Sequence, residues 1–403
     1  MDTITHGIAG ALLSKAIFRG DDLFAARSMN RQRLVTWALT LGAIFPDADT
    51  FRDIFSRNPL LIITWHRSLT HSLLMLPLWA LLLTLGTRQI ARWRRWDSPS
   101  FAKLFAIYAT GILSHIVLDL VTTFGTMIWS PWVWSRPAWD LLFIVDFTFT
   151  ATVLLPQLLA WVYANPARIR PRAIGMWFVF LPAPLVISRI AQIVGAPIAD
   201  RAILAATFLF TVLFLVPVFG GWGAKISHST WNRAGLLAAS AYIGLAIYAH
   251  SSALARTKQF AAFEHLEVQS IAALPLPPSF LNWDGLVRTP RGVYELRTDL
   301  AKEAAISSAN SGPPRASATL EYSFFPDAVP NPYIESAKLL PEVEKVLWFA
   351  RFPVTHFHRE GRDAVVEFSD LRFAKIRPDR PPSFTYRVRF GPSGEVLSQG
   401  WLR

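Results

Sequence analysis

Long apolar runs fill the first 255 positions and disappear after them. A bilayer-crossing helix needs about 17–25 such residues. The candidates are Leu73–Thr87, Phe101–Val121, Leu141–Tyr163, Ile174–Val194, Ala202–Phe219 and Ala234–Ala255. Two shorter runs, Ile4–Phe18 and Leu34–Phe45, bring the expected number of spans to eight. The first run carries Asp2 and His6 at its start and has no basic leader, so it does not read as a cleaved signal peptide.

Beyond residue 255 the pattern changes. Pro275–Pro278, Pro313–Pro314 and Pro381–Pro382 break the chain into short pieces. Ala364–Ala374 and Ser383–Phe390 are rich in β-branched and aromatic residues and predict strands. Gly391-Pro392-Ser393-Gly394 predicts a turn into a last strand, Glu395–Trp401, closing a hairpin. Pro341–Phe352 predicts a short helix. The expected fold is therefore mainly α: a polytopic membrane domain of about eight helices over 1–255, then a smaller α+β or mostly β soluble domain over 256–403.

Composition agrees. The 403 residues are 52% hydrophobic and only 17% charged, against about 25% charged for a soluble domain. The absence of Cys excludes a disulfide scaffold and any Cys-ligated zinc or iron–sulfur centre. Residues 1–255 hold 21 Lys and Arg against 11 acidic residues, all Asp. A basic excess in the apolar half reads as loops meeting anionic lipid rather than nucleic acid. The loops at 19–33, 86–103, 164–173 and 221–233 carry 14 basic residues, and the alternating loops at 48–70, 123–139 and 195–201 carry 5. The first set is expected in the cytoplasm, and the N-terminus, the second set and the C-terminal domain outside it.

Ionisable residues at membrane depth are costly and point to function. Four clusters stand out: Asp2 with His6; Pro46-Asp47-Ala48-Asp49; His66-Arg67-Ser68-Leu69-Thr70-His71-Ser72; and His115 with Asp119 and Thr122, spaced to share one helix face. The expected topology brings all four to one side of the membrane. His and Asp without Cys form a ligand set for zinc, with manganese or iron as alternatives. The candidate ligands are His6, Asp47, Asp49, His66, His71, His115 and Asp119, enough for one or two ions. Two ions could clamp a phosphoester displacement. Arg67 is the candidate binder of the anionic group, Asp47 or Asp49 the general base, and Ser68, Thr70 and Thr122 candidates for hydrogen bonds to the ligands. Asp146 reads as a further ligand or a paired polar residue. His228, His250, His356 and His358 read as structural or solvent-facing. The Trp129–Trp134 stretch fits a membrane interface, beside the expected site.

The motif blocks resemble those of the YdjM-like family, the LexA-regulated inner-membrane predicted metal-dependent hydrolases of bacteria. The match lies in Asp2-Thr3-Ile4-Thr5-His6-Gly7, Pro46-Asp47-Ala48-Asp49, His66-Arg67-Ser68-Leu69-Thr70-His71-Ser72 and His115-Ile116-Val117-Leu118-Asp119, within residues 1–135. The tail around Ser369-Asp370-Leu371-Arg372-Phe373 is similar to the soluble tail of longer members. The resemblance implies an inner-membrane enzyme related to zinc-dependent phospholipase C, with the same seven His and Asp residues as ligands. Unlike that enzyme, the helical half supplies no Glu. The expected function is hydrolysis of a phosphoester or related ester of a lipid or lipid-linked substrate at the outer face of the inner membrane. Alternatives are a divalent-metal transporter, which needs polar residues along a path that the later helices lack apart from Arg189 and Gln192, and a non-enzymatic membrane assembly or sensor protein.

Overall fold

The computed structural model describes residues 1–18, 29–52, 56, 58, 60–193, 198, 200–277, 280–300, 322–373 and 383–402. Asp2 starts α1 (Thr3–Ile17) by accepting a hydrogen bond from the Thr5 amide, satisfying one of the free donors of the first turn. α2 (Met29–Ile44) runs into a 3-10 turn, Phe45–Thr50, with Pro46 at its second position. A single-turn helix α3 (Leu61–Thr64) and a 3-10 turn Leu69–His71 precede α4 (Leu76–Arg94). α5 (Phe101–Leu120) follows.

Small residues let α1, α2 and α5 meet closely. A methyl group at Gly10 would stand 2.6 Å from the Ala43 Cβ, and one at Gly111 would stand 2.7 Å from the Leu39 carbonyl oxygen. This contact brings the polar end of α1 against the polar end of α5.

Residues 121–146 form a long connection, not the start of a helix. Leu141 and Leu142 donate to the Val121 carbonyl, which holds this segment extended. The helix expected from Leu141 thus begins only at Phe147, where Asp146 caps α6 (Phe147–Val162) through the Thr148 and Phe149 amides. The run expected over 174–194 is split into α7 (Ile169–Phe180) and α8 (Ala183–Ile193) at Pro182 and Pro184, which cannot donate the hydrogen bonds that would continue a helix; Val194 lies outside the described residues. α9 (Asp200–Phe219) and α10 (His228–Phe263) complete the helices of this half, α10 running past residue 255.

Helices stand at all eight expected positions. Among the described residues, four stretches are long and apolar enough to cross a bilayer: Phe101–Leu120, Pro166–Arg189, Asp200–Phe219 and His228–Phe263. A fifth exists if Leu61–His71 and Leu76–Arg94, bent by 71°, count as one span. α1, α2 and α6 have only 15–16 residues each.

The C-terminal part is α+β. It holds two antiparallel four-stranded sheets with strands in sequence order. The first comprises β1 (Ser270–Leu276), β2 (Asn282–Thr289), β3 (Gly292–Asp299) and β4 (Tyr322–Pro326). Helices α11 (Pro332–Lys338) and α12 (Pro341–Phe349) lead to β5 (Pro353–Glu360), β6 (Asp363–Asp370), β7 (Thr385–Phe390) and β8 (Val396–Trp401). The final hairpin pairs Tyr386 with Trp401 and Val388 with Gln399, as its turn sequence predicts. β6 stops at Asp370 because Leu371–Phe373 turn away as a 3-10 segment; Ala374 lies outside the described residues.

The two parts share their cores. Leu60, Ile63 and Phe124 of the helical half are buried with Val346, Phe349, Phe368 and Tyr386. Ala249 and Ala253 of α10 are buried with Ala273 and Trp283 of the first sheet. Arg351 clamps Asp140 through two hydrogen bonds of 2.9 Å. The C-terminal domain thus sits on the same end of the helical half as the polar clusters.

Candidate metal centre

Each cluster enters the site from the end of a helix or a turn. α1 delivers His6, the 3-10 turn after α2 delivers Asp47 and Asp49, the turn before α4 delivers His66, Arg67 and His71, and the last turns of α5 deliver His115 and Asp119. His6, His71, His115 and Asp119 are fully buried, and Asp47 and Asp49 nearly so. His66 keeps 18% of its side chain exposed, so the mouth of the site lies there.

Asp47, His71, His115 and Asp119 each offer one ligand atom, and these atoms all lie within 4.8 Å of one another. The Nε2 atoms of His71 and His115 are 3.0 Å apart. Asp119 Oδ2 lies 3.2 Å from His71 Nε2 and 3.5 Å from His115 Nε2; Asp47 Oδ1 lies 3.6 and 3.4 Å from the same atoms. Bonds of about 2.0–2.1 Å from a tetrahedral zinc ion place ligand atoms roughly 3.4 Å apart. The spacing fits.

The hydrogen bonds around the group make the same point. His115 Nδ1 donates to the Ala43 carbonyl at 2.6 Å. His71 Nδ1 faces Thr70 Oγ1 at 3.0 Å and Asp49 Oδ2 at 3.4 Å. With both Nδ1 atoms engaged by these partners, the two rings present their Nε2 atoms to each other across 3.0 Å and to the Asp47 and Asp119 carboxylates. Asp119 Oδ2, also buried, accepts no hydrogen bond. A buried carboxylate oxygen without a partner, beside two imidazole nitrogens and a second carboxylate, is a donor set that a divalent cation would satisfy.

The remaining groups hold this set in place. Asp49 accepts from His66 Nδ1 at 2.9 Å, the Arg67 amide at 3.1 Å and Thr70 at 3.1 Å. Thr3 donates to Asp47 Oδ2 at 2.5 Å. Burial opposes ionisation of Asp47 and Asp49, yet both carboxyls lie below their ordinary value. Hydrogen bonds from His115 and His71 dominate at Asp47, and the hydrogen bond from His66 with the nearby His71 dominates at Asp49. Arg67 meets Asp119 Oδ1 at 3.0 Å and donates to Thr122 at 2.9 Å. The Met1 ammonium also contacts Asp119. His6 stacks on His115 with ring centres 3.6 Å apart and meets Asp119 Oδ1 through Nε2 at 3.1 Å.

Residues 1–196 match the family model described as YdjM inner membrane protein. This region belongs to the YdjM family. Together with the apolar helices, the match makes the chain a membrane protein. No curated protein and no solved structure matches the chain.

All seven ligand candidates fall inside the YdjM region and within one constellation. Four form the group just described; His6 and Asp49 contact its members, and His66 bonds to Asp49 with its ring edge-on to His71 at 5.6 Å between centres. Thr70 and Thr122 bond site residues as expected, whereas Asp2 and Asp146 serve as helix caps, Asp146 also accepting from Tyr242 at 2.7 Å. His356 and His358 are exposed on β5. Trp129, Trp132 and Trp134 are exposed, and their loop is tied to the site through the bond from the Leu73 amide to the Ile128 carbonyl. Sequence reasoning missed Phe124, Arg136 and Arg372. Arg136 left one trace, as the sole Lys or Arg between positions 104 and 167.

Proposed function

We propose that the protein is a membrane-embedded metal-dependent hydrolase, cleaving a phosphoester or related ester of a lipid or lipid-linked substrate at the outer face of the bacterial inner membrane. The observation that carries this reading is the convergence of the His71 and His115 Nε2 atoms with Asp47 and Asp119 at tetrahedral spacing, beside a buried arginine. His71, His115, Asp47 and Asp119 would hold the ion, zinc by donor set and geometry, with manganese or iron as alternatives. When bound, a divalent ion supplies Lewis-acid activation of an ester and of its attacking water.

The chain's own groups do the rest. Ala43 and Asp49 hold the imidazoles of His115 and His71 in the ligating orientation. Arg67 supplies the fixed positive charge for an anionic group. Of the two candidate bases, Asp49 is committed to four neighbours and acts through His66, whose Nδ1 it holds while the ring reaches the mouth. The burial of the remaining groups excludes bulk water from the reacting end.

The test is metal content by elemental mass spectrometry on detergent-purified protein, with hydrolysis assayed on phospholipids and lipid phosphates. One or two zinc ions per chain are expected, with both metal and activity lost in His115→Ala and Asp119→Ala. A well-folded wild type that takes up no metal even on reconstitution would refute the reading.

A further inference from the structure

Arg136 lies outside the four clusters, in the loop between α5 and α6, and contributes nothing to the metal group directly. Its guanidinium nevertheless joins three carbonyls on two backbone segments. Nη1 donates to the Ile63 carbonyl at 2.5 Å, and Nη2 donates to the His66 and Gly125 carbonyls, both at 3.2 Å. The same group lies 4.9 Å from the Phe124 ring centre on its own half of the chain, and 5.3 and 6.0 Å from Phe349 and Trp348 of α12. Arg67 faces the Phe124 ring too, at 5.0 Å.

The bond to His66 matters most. It fixes the peptide between His66 and Arg67 from its oxygen side, and Asp49 fixes the same peptide from its nitrogen side. Arg67 adopts φ +61°, a left-handed conformation that costs a non-glycine residue energy and persists only when the surroundings impose it. Gly125 is shaped to the arrangement: at φ +82°, a Cβ there would stand 2.8 Å from the Arg136 carbonyl oxygen. From the C-terminal domain, Arg372 donates to the Thr123 carbonyl at 3.0 Å, one residue from Phe124. Burial, with Arg67 and Arg372 nearby, pulls the Arg136 guanidinium down to about 9, so it stays cationic at neutral pH.

We infer that Arg136 is a positioning residue through which the docked C-terminal domain holds the His66–Arg67 turn in its metal-site conformation. The C-terminal domain is on this view part of the site's support. The functional consequence rests on the metal-centre reading above; the positioning itself does not.

The experiment uses the full detergent-purified chain and reads two quantities in wild type, Arg136→Ala and Arg136→Lys. The first, in metal-free protein, is the rate at which diethylpyrocarbonate modifies each histidine, mapped by peptide mass spectrometry. His66 should react several-fold faster in Arg136→Ala while His6, His71 and His115 stay protected, and methylguanidinium should restore slow reaction where methylammonium does not. Arg136→Lys should resemble Arg136→Ala, because a single ammonium nitrogen lacks the spread of the planar fork, whose two terminal nitrogens divide the three carbonyls between them. The second is zinc affinity by chelator competition, expected to fall about 10–100-fold in Arg136→Ala, as for other residues that orient ligands. An unchanged His66 rate, a joint rise at all four histidines, or no rescue by methylguanidinium would overturn the inference. A wild type that binds no zinc would instead sink the metal-centre reading, with the His66 result still deciding the role of Arg136.

Discussion

At Asp49 the donors of His66, Arg67, Thr70 and His71 meet one carboxylate, and this residue illustrates how the site is organised. A ligand imidazole binds metal through one nitrogen and needs its other nitrogen oriented. Asp49 does this for His71 and also places the ring of His66. Asn in its place keeps the shape but accepts through one oxygen only. Asp49→Asn is expected to lower metal affinity about 10–100-fold, measured by chelator competition, while His115→Ala abolishes binding. The carboxyls of Asp47 and Asp49 lie below their ordinary value in the folded protein. Their contribution to stability is therefore complete above the unfolded value of about 3.9 and fades as pH falls through the folded values. Thermal unfolding of the metal-free protein should show this acid limb, flattened in Asp49→Asn; an identical pH profile for both proteins would contradict it.

Helix crossings set where those residues stand. His115 lies one turn beyond Gly111, and Gly111 faces backbone atoms of Leu39, Gly42 and Ala43, with clearances of 2.7–3.0 Å for an added methyl. Backbone cannot move aside as a flexible side chain would. Gly111→Ala should cost about 1–3 kcal/mol by overpacking and should weaken metal binding by pushing α5 from α2. Gly86 in α4 has nothing within 4 Å of its added Cβ, so Gly86→Ala should be stabilising by about 0.5–1 kcal/mol with metal affinity unchanged. Thermal unfolding with a parallel zinc titration separates the two. The sequence made the helices themselves legible, since apolar runs are local signals; the cap at Asp146 was not, because the apolar run extends on both sides of it. The extended segment before Phe147 reads as helix in the sequence because Leu141-Leu142 is apolar for a different reason, burial in the core beside Val121.

At the scale of the whole molecule, the four polar clusters were readable because His and Asp are rare in an apolar chain and because each cluster sits at the end of an apolar run. The support they receive was not readable. Arg372 reaches Thr123, and Phe124 packs on Phe349, across more than two hundred positions of sequence, and such contacts carry no periodic signature. Their geometry has a topological consequence. If the site faces outward, the C-terminal domain docked on it must lie outside as well, with the basic loop before α10 on the opposite side. The absence of native Cys permits a direct test in intact spheroplasts. Ser393, exposed in the β7–β8 turn, and Lys225, exposed before α10, are suitable positions. Ser393→Cys should react with a membrane-impermeant maleimide from outside, and Lys225→Cys only after the membrane is opened. The reverse pattern would place the site and its domain in the cytoplasm and would redirect the search for a substrate to the inner leaflet. Labelling of both from outside would mean that the spans between the site and α10 do not cross in the inferred sequence.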